Sequence, residues 1–275
     1  MSRNRQKYKT SKLSFPLVDV CVMTAGCVDM FEKCIAAIMP QILGIDSRIY
    51  VLNNGAPSEK YDEIYETLPK NAQVIRLYEN VGFPAGANKL FKRGLAPLIL
   101  FVSDDVILKD GAVDALLRRM DDPKIGLCGM KLLFPEDATN RPAGKVQHVG
   151  HGFDIHANII HPLIGWSADN PKCCISRETS SVTGAAFIVR RKAFMESGGF
   201  YEGYGRGYYE DSDLCLTLRK LGYKIYIDTD AIGYHYVGAT MEFLKAKNPM
   251  IYIYNQTLFM QRHMGDLAWD SWTYW

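Results

Sequence analysis

The amino-acid sequence predicts an α/β fold with a mostly parallel central sheet, helices on both of its faces, and a smaller antiparallel portion. Short runs of β-branched and aromatic residues alternate with longer helical stretches in the first half of the chain, which is typical of βαβ units. Each run is closely followed by Gly, Asn or Asp, the residues that favour turns. Hydrophobic residues make up 48% of the 275-residue chain, so a large core can form.

The order of the elements follows from these runs. The predicted strands of the first half are 18–23, 48–52, 73–77 and 98–102, and the predicted helices are about 28–42, 58–68, 85–94 and 110–120. The second half predicts loops and short antiparallel strands over 145–180, a strand at 181–190, a helix at 211–221, a strand at 223–227 and a final helix at about 248–262. Ligands of parallel sheets bind beyond the carboxyl ends of the strands, so the residues that follow each strand are the first candidates for a site.

Composition narrows the class of protein. The formal net charge is +2, so the chain lacks the strongly basic balance of a nucleic-acid-binding protein. The seven cysteines are an odd number without a CxxC pair, and several lie in apolar runs, which favours a reducing compartment. The basic N-terminus has no apolar segment behind it, and the longest apolar stretch, 95–102, is too short to span a bilayer. We therefore expect a cytoplasmic protein, with peripheral membrane contact as the alternative.

We expect one domain between two tails. Residues 1–16 form a basic tail, interpreted as mobile or as an electrostatic contact with a membrane or acidic partner. The domain covers 17–263, with a nucleotide-binding half at 17–106, an acceptor and catalytic half at 107–246 and a C-terminal helix at 247–263. The aromatic tail 264–275 either packs onto the domain or onto a second copy in a homo-oligomer, or contacts an acceptor or membrane interface.

Two acidic clusters provide the candidate metal-binding and catalytic residues. Ser103-Asp104-Asp105 follows the fourth predicted strand, where adjacent carboxylates need a compensating cation or hydrogen-bond donors. Either they bind a hard divalent cation or one of them begins a turn or caps the next helix. The second cluster, Glu210-Asp211-Ser212-Asp213, follows a loop rich in Gly and Tyr at 198–209. It predicts either ordinary capping of a helix or a general base beside a mobile lid.

Weaker signals come from glycines and histidines. The stretch 79–88 places two glycines and a proline before a helix, which suits either a phosphate-binding helix start or an ordinary loop. His235 follows a short predicted strand, and an isolated histidine is more often structural. The remaining histidines show no zinc-type spacing or other signal and are interpreted as polar-loop or helix residues: His148, His151, His156, His161 and His263.

Taken together, the motifs resemble those of the inverting family 2 glycosyltransferases, which have the GT-A fold, and rhamnosyltransferase-like members in particular. The most specific part is the order of Val-Thr-Gly-Ala-Ala-Phe-Ile-Val-Arg-Arg at 182–191, Gly-Gly-Phe at 198–200 and Glu-Asp-Ser-Asp-Leu at 210–214. Residues 52–55 and 80–88 resemble the family's donor-binding elements. The resemblance covers about 17–263, nearly the whole chain.

The resemblance implies roles for individual residues. Asp211 would be the catalytic base, with Glu210 orienting the acceptor or capping the helix, and Asp105 would bind Mn²⁺ or Mg²⁺ together with His235. The donor, a nucleotide-diphosphate sugar, would be contacted by Thr24, Asn53, Asn80, Gly82, Asn88, Asp104 and Gly184. Three departures stand out, because Ser103 and Asn53 replace commoner aspartates and the basic residue often found near position 87 is missing.

The implied reaction is metal-dependent transfer of a sugar, with inversion, to an acceptor hydroxyl. A glycan or lipid-linked acceptor fits glycan biosynthesis by a hexosyltransferase-type enzyme. A nucleic-acid acceptor stays open as the less favoured alternative, because the near-neutral charge argues against it and only the basic N-terminal tail favours it. Two other classes stay open. A non-catalytic sugar-binding module would not need paired acids with a base, and a nucleotidyltransferase would need a basic residue in the loop at 24–29, which has none.

Overall fold

A computed structural model describes residues 16–56, 59–236, 250–265 and 267. The basic tail up to residue 15 and all but three residues of the aromatic tail lie outside the described residues. No described helix is both long enough and apolar enough to cross a membrane.

The first half of the chain alternates strands and helices as predicted. Its elements are β1 (Val18–Thr24), α1 (Val28–Ile42), β2 (Ser47–Asn54), α2 (Lys60–Thr67), β3 (Gln73–Leu77), α3 (Phe83–Phe91), β4 (Leu98–Ser103), β5 (Val106–Leu108) and α4 (Ala112–Arg119). Helix α3 begins two residues before the predicted start, because Pro84 lies in its first turn, where a missing N–H costs nothing.

The second half carries longer strands than predicted. Its elements are β6 (Ile125–Leu133), β7 (Val146–His148), β8 (Gly152–Phe153), β9 (Ile159–Ile160), β10 (Arg177–Glu178), β11 (Ala186–Arg190), α5 (Arg191–Glu196), α6 (Glu210–Lys220), β12 (Lys224–His235) and α7 (Met250–His263). The predicted short strands of 145–180 are present as β7 to β10, and β8 and β9 form a separate antiparallel pair.

Ten strands form the central sheet. Its main path runs β10-β12-β6-β11-β4-β1-β2-β3, with β5 added to β12 and β7 added to β6. Strands β1 to β4 are parallel to their neighbours within that group, and β12 is parallel to β6. Strand β11 is antiparallel to both β4 and β6. The predicted mostly parallel sheet is therefore confirmed, with β11 reversed at its centre and the short strands β5, β7 and β10 also antiparallel to their neighbours.

Helices cover both faces, as predicted. Alternate residues of a strand point to opposite faces, so Leu100 packs in one core with α1, α2 and α4. Its neighbour Phe101 packs in a second core with α3, α5 and α6, where Leu90 and Phe194 are buried. Both cores hold the sheet rigid, and its carboxyl-end edge carries the polar residues that follow the strands.

Several strands differ from the prediction in their existence or their bounds. Strand β6 was not predicted, because all nine of its residues are buried and a strand buried on both faces lacks alternation. Strand β12 extends to His235 instead of ending at 227, and passes an irregularity at Asp228 where its pairing with β6 shifts. Strand β11 starts at Ala186 instead of 181. Asn53 and Asn54 belong to β2 and not to a turn after it.

Candidate active site

The ends of three neighbouring strands bring the predicted polar residues to one edge of the sheet. Strand β1 lies between β2 and β4, and its Thr24 is level with Asn53 on β2. On the other side, Met23 is level with Ser103 on β4. The residues that the sequence places after different strands are therefore neighbours in space, where the sheet geometry predicts a ligand site.

Thr24 and Asn53, two of the predicted donor contacts, are both buried and hydrogen-bonded. Thr24 Oγ1 and Tyr61 Oη are 2.9 Å apart. The Asn53 amide accepts a hydrogen bond from Ala56 N at 2.7 Å and donates one to Ala56 O at 2.9 Å. Asn53 thus fixes the chain turn that follows β2. A contact between Asn53 and a nucleotide base stays a prediction.

Asn54, which the sequence reasoning did not single out, organises the predicted donor loop, the residues 79–82 that precede helix α3. Its Oδ1 accepts a hydrogen bond from Val81 N at 3.0 Å, and its Nδ2 donates to Asn80 Oδ1 at 3.3 Å. Asn80 Oδ1 also accepts from Gly82 N at 2.8 Å. Gly82 has φ +86, and a Cβ there would lie 2.0 Å from the carbonyl oxygen of Gly205. The donor loop therefore packs directly against the Gly/Tyr loop at 198–209.

Asn88 fastens the same Gly/Tyr loop from helix α3. Its Nδ2 donates to Phe200 O at 2.8 Å and its Oδ1 accepts from Phe200 N at 3.0 Å. A further hydrogen bond joins Nδ2 to Glu202 Oε1 at 2.9 Å. Both atoms of the amide are engaged in this structural contact. A donor contact by Asn88 stays a prediction.

Asp104 and Asp105 lie in the turn between β4 and β5, and only 2% and 7% of their surfaces are exposed. Helix α4 begins at Ala112 with Gly111 as its N-cap, so neither aspartate caps it. The backbone oxygen of Asp105 accepts a hydrogen bond from Tyr236 N at 2.9 Å, which joins this turn to the end of β12.

Asp105 and His235 form a pair suited to a divalent cation. His235 Nε2 lies 3.5 Å from Asp105 Oδ1, and its Nδ1 lies 3.2 Å from Gln147 Oε1. Because an amide oxygen only accepts, Nδ1 donates to Gln147, and Nε2 is the nitrogen that faces the carboxylate and could bind a cation. Among the described residues, no third His, Cys, Asp or Glu offers a ligand atom within 4.8 Å of both. A cation bound here would keep coordination positions open for substrate oxygens.

Asp211 is held in a fixed orientation at the start of helix α6. Its Oδ2 accepts a hydrogen bond from Gly184 N at 2.9 Å, and its Oδ1 accepts one from Ser212 N at 2.7 Å. Burial raises the pKa of the Asp211 carboxyl, and these hydrogen bonds oppose the rise. The carboxylate is therefore more basic than an exposed aspartate and has a single orientation.

Glu210 is the more buried acid of the pair. It is 8% exposed, and its Oε2 has no hydrogen-bond partner among the described residues. Burial, with the charge of Asp211 adding to it, raises the pKa of Glu210 to about 8. At neutral pH Glu210 is mainly protonated, so the pair carries about one negative charge instead of two.

Asp213, the third acid of the cluster, anchors helix α6 to α7. It accepts hydrogen bonds from Tyr204 Oη at 3.0 Å, Arg262 Nε at 2.5 Å and His263 Nε2 at 2.7 Å. Burial would raise the pKa of Asp213, but the bonds from His263 and Arg262 outweigh it and lower the pKa. His263, for which the sequence gives no signal, ends helix α7 and is buried in this cluster.

The end of the Gly/Tyr loop has an unusual backbone. Tyr208 and Tyr209 have φ values of +76 and +73, a region that costs non-glycine residues about 1–3 kcal/mol each. Tyr209 is buried and donates to Ala157 O at 3.1 Å. This anchored, strained turn leads directly into Glu210 and Asp211.

The four histidines of 145–180 do not all lie in polar loops as predicted. His156 is exposed, but His148 and His151 are buried and His161 lies beside them. The ring centroids of His148 and His151 are 4.6 Å apart. Their separations in sequence gave no zinc-type spacing, because the strand pair β8-β9 between them brings His161 back.

Comparisons with known proteins agree with this architecture. The family model described as Glycosyl transferase family 2 matches residues 19–198. Among curated proteins, the Uncharacterized protein y4gI of Sinorhizobium fredii is 23% identical over 82% of this chain and 25% of its own length. The O-antigen biosynthesis protein RfbC of Myxococcus xanthus is 28% identical over 64% of this chain and 14% of its own length. The chain thus spans a quarter or less of these two relatives.

Solved structures share the fold at low sequence identity. GalNAc-T7, crystallised with UDP, GalNAc and Mn²⁺, is 12% identical with a TM-score of 0.69, covering 95% of this chain and 59% of its own. The mannosyltransferase PcManGT of Pyrobaculum calidifontis, in complex with GDP-Man and Mn²⁺, is 12% identical with a TM-score of 0.59, covering 94% and 78%. The similarity confirms the predicted GT-A architecture.

Proposed function

The chain belongs to glycosyl transferase family 2, and from this premise we propose that it transfers a sugar, with inversion, from a nucleotide-diphosphate sugar to an acceptor hydroxyl. The observation that carries the proposal is the two-residue segment Gly184-Ala185. Gly184 N binds the Asp211 carboxylate at 2.9 Å, and Ala185 O accepts a hydrogen bond from Ser103 N at 2.8 Å. The proposed base and the acidic turn are thereby held on opposite sides of one short segment.

The metal is proposed for the acidic turn. Asp105 and His235 would hold Mn²⁺ or Mg²⁺, with Asp104 beside them as a donor or metal contact. A bound divalent cation stabilises the negative charge that develops on a leaving diphosphate. The Mn²⁺ in the two solved structures named above supports this choice. Their UDP and GDP-Man support a nucleotide-sugar donor, with Thr24, Asn53, Asn80 and Gly82 lining its side of the site.

Asp211 is proposed as the general base. Its carboxylate would take the proton of the acceptor hydroxyl as that oxygen attacks the anomeric carbon from the face opposite the diphosphate. Two backbone N–H groups fix its orientation, and burial raises its pKa towards the working pH. Glu210, mainly protonated at neutral pH, adds little negative charge beside it and is free to donate a hydrogen bond to the acceptor.

The Gly/Tyr loop is proposed to enclose the acceptor side. It is tied to α3 through Asn88 and ends in the strained Tyr208-Tyr209 turn next to the base. Exclusion of water there would protect the donor from hydrolysis. The relative described as an O-antigen biosynthesis protein supports a glycan or lipid-linked acceptor.

The experiment begins with a thermal-shift screen of UDP, GDP, dTDP and CDP sugars with Mn²⁺, because a ligand of the native state raises the melting temperature. For the sugar that binds, Asp211→Asn should lower turnover at least 100-fold, in line with loss of a positioned base. Donor affinity measured by calorimetry should change less than threefold. Asp114→Asn, on the exposed face of α4, is the matched control.

Two results would contradict the proposal. Near-normal turnover by Asp211→Asn would remove Asp211 from the base position. Full activity in excess EDTA would remove the metal assignment. The anomeric configuration of the product, read by NMR, tests inversion separately, since retention would require a different mechanism with the same fold.

A further inference from the structure

Three imidazoles meet in the interior behind the proposed active site. His148 ends β7, His151 pairs with Ser181, and His161 follows β9. His148 and His151 are 0% and 2% exposed, and one ligand-capable atom from each of the three rings lies within 4.8 Å of the other two. Within the described part of the chain, no other trio of His, Cys, Asp or Glu meets this spacing.

Each ring has one nitrogen without a hydrogen-bond partner, whereas its other nitrogen contacts a neighbouring group. The buried atoms without a hydrogen-bond partner are His148 Nδ1, His151 Nε2 and His161 Nδ1. His151 Nδ1 lies 3.3 Å from Ser181 Oγ, which can donate its own proton to Ser212 Oγ at 3.1 Å. His161 uses its other nitrogen on the backbone of Gln147. His151 and His161 thus present lone pairs to the shared space.

Buried nitrogen lone pairs without partners are costly, and most buried polar groups in proteins are satisfied. The surroundings keep the rings neutral, because burial lowers the pKa of all three. Neutral imidazole is the form that binds a metal. A set of nitrogen ligands suits a borderline transition metal such as Zn²⁺, whereas Mg²⁺ and Mn²⁺ prefer oxygen.

We propose that His148, His151 and His161 form a second metal site, which binds a transition-metal ion of the Zn²⁺ class. It is distinct from the Asp105–His235 pair, which the sequence predicts as a site for Mn²⁺ or Mg²⁺. Gln147 lies between the two sites, since its side chain contacts His235 Nδ1. The proposal does not depend on the proposed function.

The position of the trio assigns it a structural role towards the active site. His151 N donates to Ser181 O at 2.7 Å, and Thr183 N donates to His148 Nε2 at 3.3 Å. The next residue, Gly184, binds the Asp211 carboxylate. Of these two links, the pairing of His151 with Ser181 is the one that a bound ion leaves in place, and through it the ion would tie the loop that carries the histidines to the segment that orients Asp211.

Metal binding requires a small rearrangement. Ligand atoms around a tetrahedral ion with bonds of about 2.1 Å lie about 3.4 Å apart, so separations of up to 4.8 Å must shorten by up to about 1.4 Å. His148 must also give up the long bond from Thr183, because that bond places the ring proton on Nδ1. The backbone amide of Thr183 is thus a specific reporter of ion binding.

The test uses the full chain without an affinity tag, freed of metal with EDTA and titrated with Co²⁺ and then Zn²⁺. We expect one Co²⁺ per chain with the intense visible bands of a tetrahedral site, displaced by Zn²⁺, and a higher melting temperature with Zn²⁺. His151→Ala and His161→Gln should weaken Zn²⁺ binding at least 100-fold. His156→Ala, in the same loop but exposed, should leave it unchanged.

Further variants separate this site from others. Asp105→Asn should keep the Zn²⁺ affinity, which distinguishes failure of the trio from failure of the proposed donor-metal site. Cys174→Ser, which removes the exposed thiol, should also keep it. The proposal is overturned if the wild-type chain binds no Zn²⁺, if a sulfur-to-cobalt charge-transfer band accompanies binding, or if folded His151→Ala and His161→Gln retain full affinity. Circular dichroism shows whether each variant is folded. If both variants unfold, the wild-type titration alone decides the proposal, because a wild-type chain that binds no Zn²⁺ overturns it.

Discussion

Replacing Glu210 with glutamine should make the protein less sensitive to alkaline pH. The wild-type carboxyl has a pKa of about 8 in the folded chain against an ordinary value of 4.5. A raised pKa means that the folded state holds the proton more tightly, so this contribution to stability is complete below pH 4.5 and is lost as the pH rises through 8. At about 1.4 kcal/mol per pH unit, the loss amounts to at most about 5 kcal/mol.

Glutamine is close in shape to the protonated acid but does not ionise. We therefore expect Glu210→Gln and wild type to have similar unfolding free energies at pH 5, and the variant to be more stable by several kcal/mol at pH 9. Urea unfolding at half-unit steps of pH measures the difference, without metal or nucleotide. Glu66→Gln, on the exposed face of α2, should follow the wild-type curve. A difference that stays constant from pH 5 to 9 would show that Glu210 ionises normally and would refute the argument.

Two structural predictions concern the framework around the site. Gly82→Ala should lower the melting temperature and turnover, because the new Cβ would lie 2.0 Å from a carbonyl oxygen. The control is Gly111→Ala, also at positive φ but in open space, which should cost only the backbone strain of about 1 kcal/mol. Equal losses of stability in the two variants would contradict the packing argument. Asp213→Asn should destabilise by about 3 kcal/mol, the lower end of the range for a broken buried ion pair, because it leaves the buried His263 and the partly exposed Arg262 without their carboxylate. Chemical unfolding measures this loss, and a change below 1 kcal/mol would mean that the cluster is not a stabilising contact.

The elements in the first half of the fold can be predicted from the local sequence pattern, whereas several strands in the second half cannot. Strand β3 and helix α1 have the bounds that the sequence predicts, since their apolar periodicity is regular and turn residues flank them. Strand β6 escapes such reasoning because it lies between β11 and β12 with both faces covered, and its sequence has no alternation to detect. Its Gly129 faces Val182, where a Cβ would lie 2.8 Å away, so the glycine that weakens the strand signal is required by packing.

The candidate site likewise contains residues that the sequence identifies and residues whose contacts only the structure reveals. Asp105 and His235 come after predicted strands, Asp211 begins a predicted helix, and each matches a family motif, so the sequence can nominate all three as candidates. Asn53 and Asn88 show what sequence leaves open, since a polar residue at the right place can serve the protein's own backbone. Both have amides committed to backbone partners, a fact that depends on loop conformation. The histidine trio was missed for a related reason, because its members are brought together by a two-residue strand pair too short to predict.

The segment 181–185, just before the reversed strand β11, links these separate features. An antiparallel strand next to β4 brings its first residues to the carboxyl end of that strand, where the acidic turn lies. Backbone groups of three successive residues then reach different partners. Thr183 N contacts His148, Gly184 N contacts Asp211 and Ala185 O contacts Ser103 N. A displacement of this backbone by even 1 Å would disturb all three contacts together, and catalysis is sensitive to errors of that size. The Zn²⁺ titration and the Asp211→Asn kinetics therefore probe two ends of the same five residues. A Zn²⁺-dependent change in the turnover of the wild-type chain that is lost in folded His151→Ala would show that the segment transmits the effect.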